Sequence, residues 1–185
     1  MAASPGLRDC GEGDLAAVHE IYRREVLEGT ASFELEPPDL ATIEERWLAI
    51  RAAGLPYLVA ELDGRVAGYA YAGIYRPRPA YRFAVEDSVY IAPWARRQGV
   101  GRLLLDAVIA GATAARRRQM IAIIGDSSHA ASIALHRQAG FRMVGTLEDV
   151  GWKFGRWLDT VIMQRALGRG AASAPDDAPG GPAPP

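Results

Sequence analysis

One cysteine, one lysine and three histidines stand among 185 residues, and each scarcity removes a class of protein. A single thiol, Cys10, excludes an intramolecular disulfide framework and suits a reducing compartment, so a cytoplasmic protein is expected. His19, His129 and His136 with that one cysteine offer no zinc-ligand spacing, so no metal is expected. No run of about 18 uninterrupted apolar residues occurs, which argues against a membrane span. The opening MAASPGLRDCGEGD lacks a basic segment followed by an apolar one, so no secretory leader is expected. A formal net charge of -1 leaves no broad basic face for nucleic acid. The basic residues are lopsided, twenty arginines against Lys153 alone, so arginine clusters carry meaning only by position.

What is present is a chain able to build one core, 49% hydrophobic and long enough for a single domain. From Gly168 the tail GRGAASAPDDAPGGPAPP holds five of the twelve prolines and no large apolar side chain. It cannot bury enough surface to offset ordering entropy, so a domain over 1–167 and a disordered tail over 168–185 are expected.

Ahead of that tail the elements alternate. GLRDC reads as a short strand. From Asp14, an N-cap type, Leu15, Val18, Tyr22 and Val26 recur at helical spacing up to Gly29. Asp39 can cap a second helix carrying Leu40, Ile43, Trp47 and Ile50, ended by Gly54. YLVAELDGRVAGYAYAGIY is a hairpin with Asp63-Gly64 at its turn. RFAVEDSVYIAP is a strand stopped by Pro93, and a helix follows with Val100, Leu103, Leu104, Ala107 and Val108 on one face. MIAIIGD is a buried strand, SSHAASIALHRQAGF a short helix ending at Gly140, and two strands bent around Gly151 and Gly155 close the domain. The order β-α-α-β-β-β-α-β-α-β-β mixes hairpins with a parallel crossover, hence an α/β fold with a mixed sheet.

The stretch WARRQGVGRLLLDAV spends two glycines at the mouth of a helix. A helix start has free N–H groups and a partial positive charge, and glycine lets phosphate oxygens come close to the backbone. It matches neither the P-loop nor the dinucleotide fingerprint, since no Gly-Lys-Ser/Thr follows and Leu104 stands where a third glycine belongs. From the loop alone two readings stand level: a phosphate seat, or a strand-to-helix turn eased by glycine and flanked by solvated arginines.

Arg96-Arg97-Gln98-Gly99-Val100-Gly101 resembles the (Arg/Gln)-x-x-Gly-x-(Gly/Ala) acetyl-CoA signature of the GNAT N-acetyltransferase superfamily, and SIALHRQAGF resembles its second coenzyme segment. TASFELEPP, YRPRPAYRFAVEDSVYIAP and VGWKFGRWLD resemble the phosphinothricin and methionine sulfone/sulfoximine N-acetyltransferase group. The resemblance implies a mixed, mainly antiparallel sheet with helices on both faces, acetyl-CoA as co-substrate, a small amino-acid acceptor and a homodimer. It implies a pyrophosphate seat formed by Arg96, Arg97, Gln98, Gly99, Val100, Gly101 and Arg102. Pantetheine would run beside Val89, Tyr90 and Ile91, with His129 where relatives often carry a coenzyme-binding asparagine.

The same resemblance puts Glu86 in the place of a catalytic glutamate, against the plainer reading of an exposed strand residue. Asp87 should face the other side of the strand and is the weaker candidate for that base. His136 stands where many members have a tyrosine that protonates the leaving thiolate; it is equally a structural histidine. Arg76, Pro77, Arg78 and Arg82 are implied at the acceptor site, with Asp87 and Ser88 beside Glu86. Arginine suits a bidentate carboxylate, although solvated loop arginines are the plain alternative. Phe33 is a pocket wall or a core phenylalanine. Lys153 is read as a turn residue of undefined chemistry, the triplet Arg116-Arg117-Arg118 as solvated cations at a helix end, and Cys10 as a free buried thiol.

Overall fold

The computed structural model describes residues 5–175. Its elements follow the expected order: β1 (Gly6–Asp9), α1 (Leu15–Glu28), α2 (Leu40–Ala52), β2 (Tyr57–Leu62), β3 (Arg65–Ile74), β4 (Ala84–Ile91), α3 (Val100–Ala114), β5 (Gln119–Gly125), α4 (Ala130–Gln138), β6 (Arg142–Lys153) and β7 (Arg156–Ala166). Local chemistry accounts for most boundaries. The Asp39 carboxylate accepts from the Thr42 N–H at 2.8 Å and caps α2. Asp63 and Gly64 both take positive φ, the two-residue turn that matches strand twist. Asp14 behaves differently from the expected cap: its carboxylate turns back to the Gly11 N–H and to Arg8, so α1 starts without a side-chain cap.

The seven strands form one sheet in the order β1-β2-β3-β4-β5-β7-β6. Only β4 and β5 run parallel, as a crossover through α3 requires; every other pair is antiparallel. Alternation along β2 and β3 sends Val59 and Tyr69 to one face, where α1 and α2 bring Val18, Tyr22, Ile43 and Trp47. Ala60, Ala70 and Ala72 go to the other, under Leu104, Leu105 and Val108 of α3. Small residues below α3 let that helix lie close to the sheet.

Two arginines of the triplet act as struts. Arg117 donates to the carbonyls of Arg82 and Ala53, and Arg118 to Ser173 and Ala174. Residues 168–173 form turns and bends, and 176–185, the rest of the tail, lie outside the described residues.

Candidate active site

The site is a fork in the sheet. The parallel ladder between β4 and β5 runs from Ala84↔Gln119 to Asp87↔Ala122 and ends there, while β4 continues to Ile91 and β5 to Gly125. Ser88, Val89 and Tyr90 therefore present a strand edge toward a cleft rather than toward a neighbouring strand. That cleft, about 410 Å³ with its open solvent, is also walled by Ile123 and Ile124 of β5 and by His129, Ser132 and His136 of α4. A second cleft of about 940 Å³ opens on the α1–α2 side and includes Glu86, Tyr22, Phe33, Arg46, Tyr71 and Thr160. The two share Ala31, Ser88, Tyr90, Ile123 and Gly125 as walls, so the fork joins one face of the sheet to the other.

Glu86 and Asp87 go to opposite faces, as strand alternation requires. Glu86 is half-buried in the larger cleft. Its carboxyl is pushed up to about 7, first by burial and then by the negative charge of Asp87, with the Arg76 guanidinium pulling it back down. Asp87 is 5% exposed and pairs with His136, also buried, at 2.9 Å. Burial works to lower the His136 pKa, yet the Asp87 carboxylate overrides it and the imidazole titrates above its ordinary value. Cys10 is buried and its thiol is pushed up to about 12 by desolvation, which makes it a poor nucleophile.

The glycine loop lies beyond the open end of β4. Gly99, the residue before α3, has φ +82°, a conformation that costs a residue with a Cβ. A Cβ at Gly101 would meet Leu135 at 3.5 Å and Ile91 at 3.7 Å, ordinary contacts, so this position faces the gap between α3 and α4 without being crowded. Of the three arginines, Arg96 pairs with Glu25 and Arg102 with Asp106. Arg97 is exposed at positive φ, and its guanidinium has no side-chain partner among the described residues.

The acceptor-side expectations divide. Arg76 reaches Glu86 electrostatically, while its guanidinium stacks 5.2 Å from the Tyr75 ring. Pro77 and Arg78 are exposed on the loop beyond β3. Arg82 lies over the Phe83 ring at 4.3 Å and donates to the Pro79 carbonyl, away from the cleft. Phe33 is 38% exposed and is seated on glycine: a Cβ at Gly151 would come within 2.4 Å of its ring, and one at Gly125 within 2.9 Å. Lys153 is 4% exposed, and its ammonium donates to the Ser32 carbonyl at 2.7 Å. It ties the β6–β7 hairpin to the segment that carries Phe33, and burial lowers its pKa.

Arg46, Tyr22 and Tyr71 were not legible as site residues. Arg46 left a signal, since it shares the helical stripe of Ile43, Trp47 and Ile50, where a charge is out of place. Tyr22 and Tyr71 left none, because a tyrosine on a core stripe reads as core.

Three features of the fork fit a coenzyme: an unpaired strand edge, a helix start facing it, and two buried polar atoms without partners among the described residues, His129 Nδ1 and Asp87 Oδ1. A mixed sheet forked between its parallel strands, with a glycine loop at the helix start beyond, is the arrangement that the resemblance to an acetyl-coenzyme transferase leads one to expect. Residues 15–141 match the model of the Acetyltransferase (GNAT) family, and the chain belongs to that family. It is 54% identical over 165 residues to a phosphinothricin N-acetyltransferase of Alcaligenes faecalis, covering 89% of this chain and 84% of the relative. It is 44% identical over 166 residues to an L-methionine sulfoximine/L-methionine sulfone acetyltransferase of Pseudomonas aeruginosa, covering 89% and 95%. A GNAT superfamily phosphinothricin acetyltransferase from Sinorhizobium meliloti, solved in complex with AcCoA, superposes with a TM-score of 0.92 at 47% identity over 95% of each chain. Among the described residues no helix is long and apolar enough to cross a membrane, and no group of three or more His, Cys, Asp or Glu gathers as a metal site.

Proposed function

We propose that this acetyltransferase passes the acetyl group of acetyl-CoA directly to the α-amine of a small amino acid such as phosphinothricin, methionine sulfone or methionine sulfoximine, with Glu86 as general base. One observation carries the reading: a half-buried carboxyl, raised to about 7, lies in the cleft that meets the fork. A base with that pKa is poised at neutral pH to take the proton an ammonium must lose before it attacks.

The remaining roles of the proposal are those the family resemblance implies. Residues 96–102 hold the pyrophosphate, with Arg97 as the phosphate contact because its two neighbouring arginines are engaged elsewhere. The open edge of Val89, Tyr90 and Ile91 binds pantetheine, and a strand N–H there stabilises the oxygen that gains charge during transfer. His129 completes the coenzyme wall through its unpartnered Nδ1. Arg76 and Arg78 reach the amino-acid carboxylate from the loop beyond β3, and Phe33 and Ser88 bound the acceptor side. A homodimer is supported by the exposed apolar side chains Val144, Val150, Trp152, Phe154 and Trp157 on the outer hairpin of the sheet. The cytoplasm suits its lone thiol.

Release of coenzyme thiol, followed with a panel of amino acids, tests the assignment. Turnover with methionine sulfone, sulfoximine or phosphinothricin is expected. No release above hydrolysis with any amino acid would remove the substrate class.

A further inference from the structure

The acceptor-side cleft continues past the residues assigned above. Glu86 on β4 pairs with Gly73 on β3, Ser88 pairs with Tyr71, and Tyr71 in turn pairs with Tyr57 on β2. The Tyr71 and Tyr57 rings stack at 4.9 Å, so the floor runs from the Glu86 strand across two neighbours to β2. At about 4.8 Å per strand spacing, that floor is about 10 Å long. At its far end lies a smaller cleft of about 250 Å³ with its open solvent, walled by Ile43, Ile50, Tyr57 and Tyr69. Tyr22, Arg46 and Tyr71 belong to both clefts, and among the described residues Arg46 is the one charged wall of the smaller.

Arg46 comes in from α2, on the stripe of Ile43, Trp47 and Ile50. Its Nη1 donates to Glu34 Oε1 at 2.8 Å, and the guanidinium lies 6.0 Å from the centre of the Tyr22 ring. A guanidinium has five N–H donors in a planar fork, so one carboxylate oxygen leaves donors for a second oxyanion. The two paired side chains are 45% and 35% exposed, and an ion pair so open to solvent contributes only about 0–1 kcal/mol to folding. The charge is felt along the floor: burial raises the Tyr57 and Tyr71 hydroxyls, and the Arg46 cation works against it. Glu86 and Arg76 thus stand at one end of the cleft and a second guanidinium at the other. An acceptor with two methylenes before a tetrahedral phosphorus or sulfur spans five bonds from amine to terminal oxygen, about 6 Å extended. With a hydrogen bond of about 3 Å at each end, such a molecule matches the floor.

We propose that Arg46 sets the acceptor preference of this enzyme: its remaining donors bind an anionic oxo group at the far end of the acceptor side chain, and Glu34 holds the fork in place. The preferred substrate is then an α-amino acid whose side chain ends, two carbons out, in a phosphinate or sulfonate, ahead of the uncharged sulfone and sulfoximine. The inference rests on acetyl transfer to an amino acid in this cleft and names what chooses that amino acid.

Homocysteate and methionine sulfone differ only in an anionic oxygen where the sulfone has a methyl group, which separates charge from shape. Coenzyme-thiol release gives kcat/KM for each, and calorimetry with CoA present gives each Kd. Wild type is expected to favour homocysteate in both measurements; a preference for the sulfone overturns the proposal. Arg46→Met should lower the homocysteate-to-sulfone ratio about 30-fold, through KM rather than kcat, since a hydrogen bond to a charged group is worth about 10–100-fold. Arg46→Lys, which keeps the charge without the fork, should fall between. Glu34→Gln should raise the ratio, because it removes a competing anion. An unchanged ratio in Arg46→Met overturns the proposal. So does a ratio that falls equally in Glu34→Gln, the mark of an ion pair that only shapes the loop. If wild type binds homocysteate through Arg46 yet acetylates no amino acid, the acetyl-transfer reading falls and the Arg46 site stands.

Discussion

Glu86→Gln should trade activity for stability, and pH exposes both sides. The folded carboxyl titrates at about 7 against an ordinary 4.5, so between those values the folded protein binds more protons than the unfolded chain. Stability from this group is therefore full below pH 4.5, falls as pH rises through about 7, and is flat above. A shift of that size corresponds to about 3 kcal/mol at most, at about 1.4 kcal/mol per pH unit. Glutamine keeps the shape without the charge, so the variant should melt higher than the wild type at pH 8, by up to about 10 °C for a chain of this size. The gap should close at pH 5. In the same preparation kcat/KM should fall about 100-fold or more, and the acid limb of the wild-type profile, breaking near pH 7, should vanish. Melting curves and coenzyme-thiol release at each half pH unit measure both effects. A variant that turns over like the wild type, or that gains no stability between pH 5 and 8, would refute the reasoning from burial to base.

Gly151→Ala drives a methyl into the Phe33 ring and should cost about 1–3 kcal/mol while raising KM for the amino acid. Gly145→Ala on the same strand meets nothing within 4 Å and should be neutral in a melting assay. Arg97→Ala should raise KM for acetyl-CoA about tenfold and Arg102→Ala should barely change it, because Asp106 already engages Arg102. Equal effects would return the loop arginines to solvation. Lys153→Met strands the Ser32 carbonyl and loosens the segment carrying Phe33, so KM for the amino acid should rise while KM for acetyl-CoA stays within about twofold.

Much of this protein is legible from residue order. Helical and strand periods, the Asp63-Gly64 turn and the Asp39 cap are contests between near neighbours, and in each the local preference won. The glycine loop also belongs to this group: Gly99 needs its positive φ for a turn of a few residues, so the helix start is visible in the sequence. Alternation alone separates Glu86 from Asp87. What sequence order cannot express is which distant residues share a dry space. Asp87 and His136 meet 49 residues apart because α4 folds over the fork, and only the folded chain buries the two side chains against each other. Lys153 meets Ser32 across 121 residues, and Phe33 finds its seat on Gly125 and Gly151 only once β5, β6 and the loop after α1 converge. Residue order sets which groups are available and which way each points. Desolvation depends on everything packed around a group, so the raised carboxyl of Glu86 and the buried contact of Asp87 with His136 exist only in the folded chain.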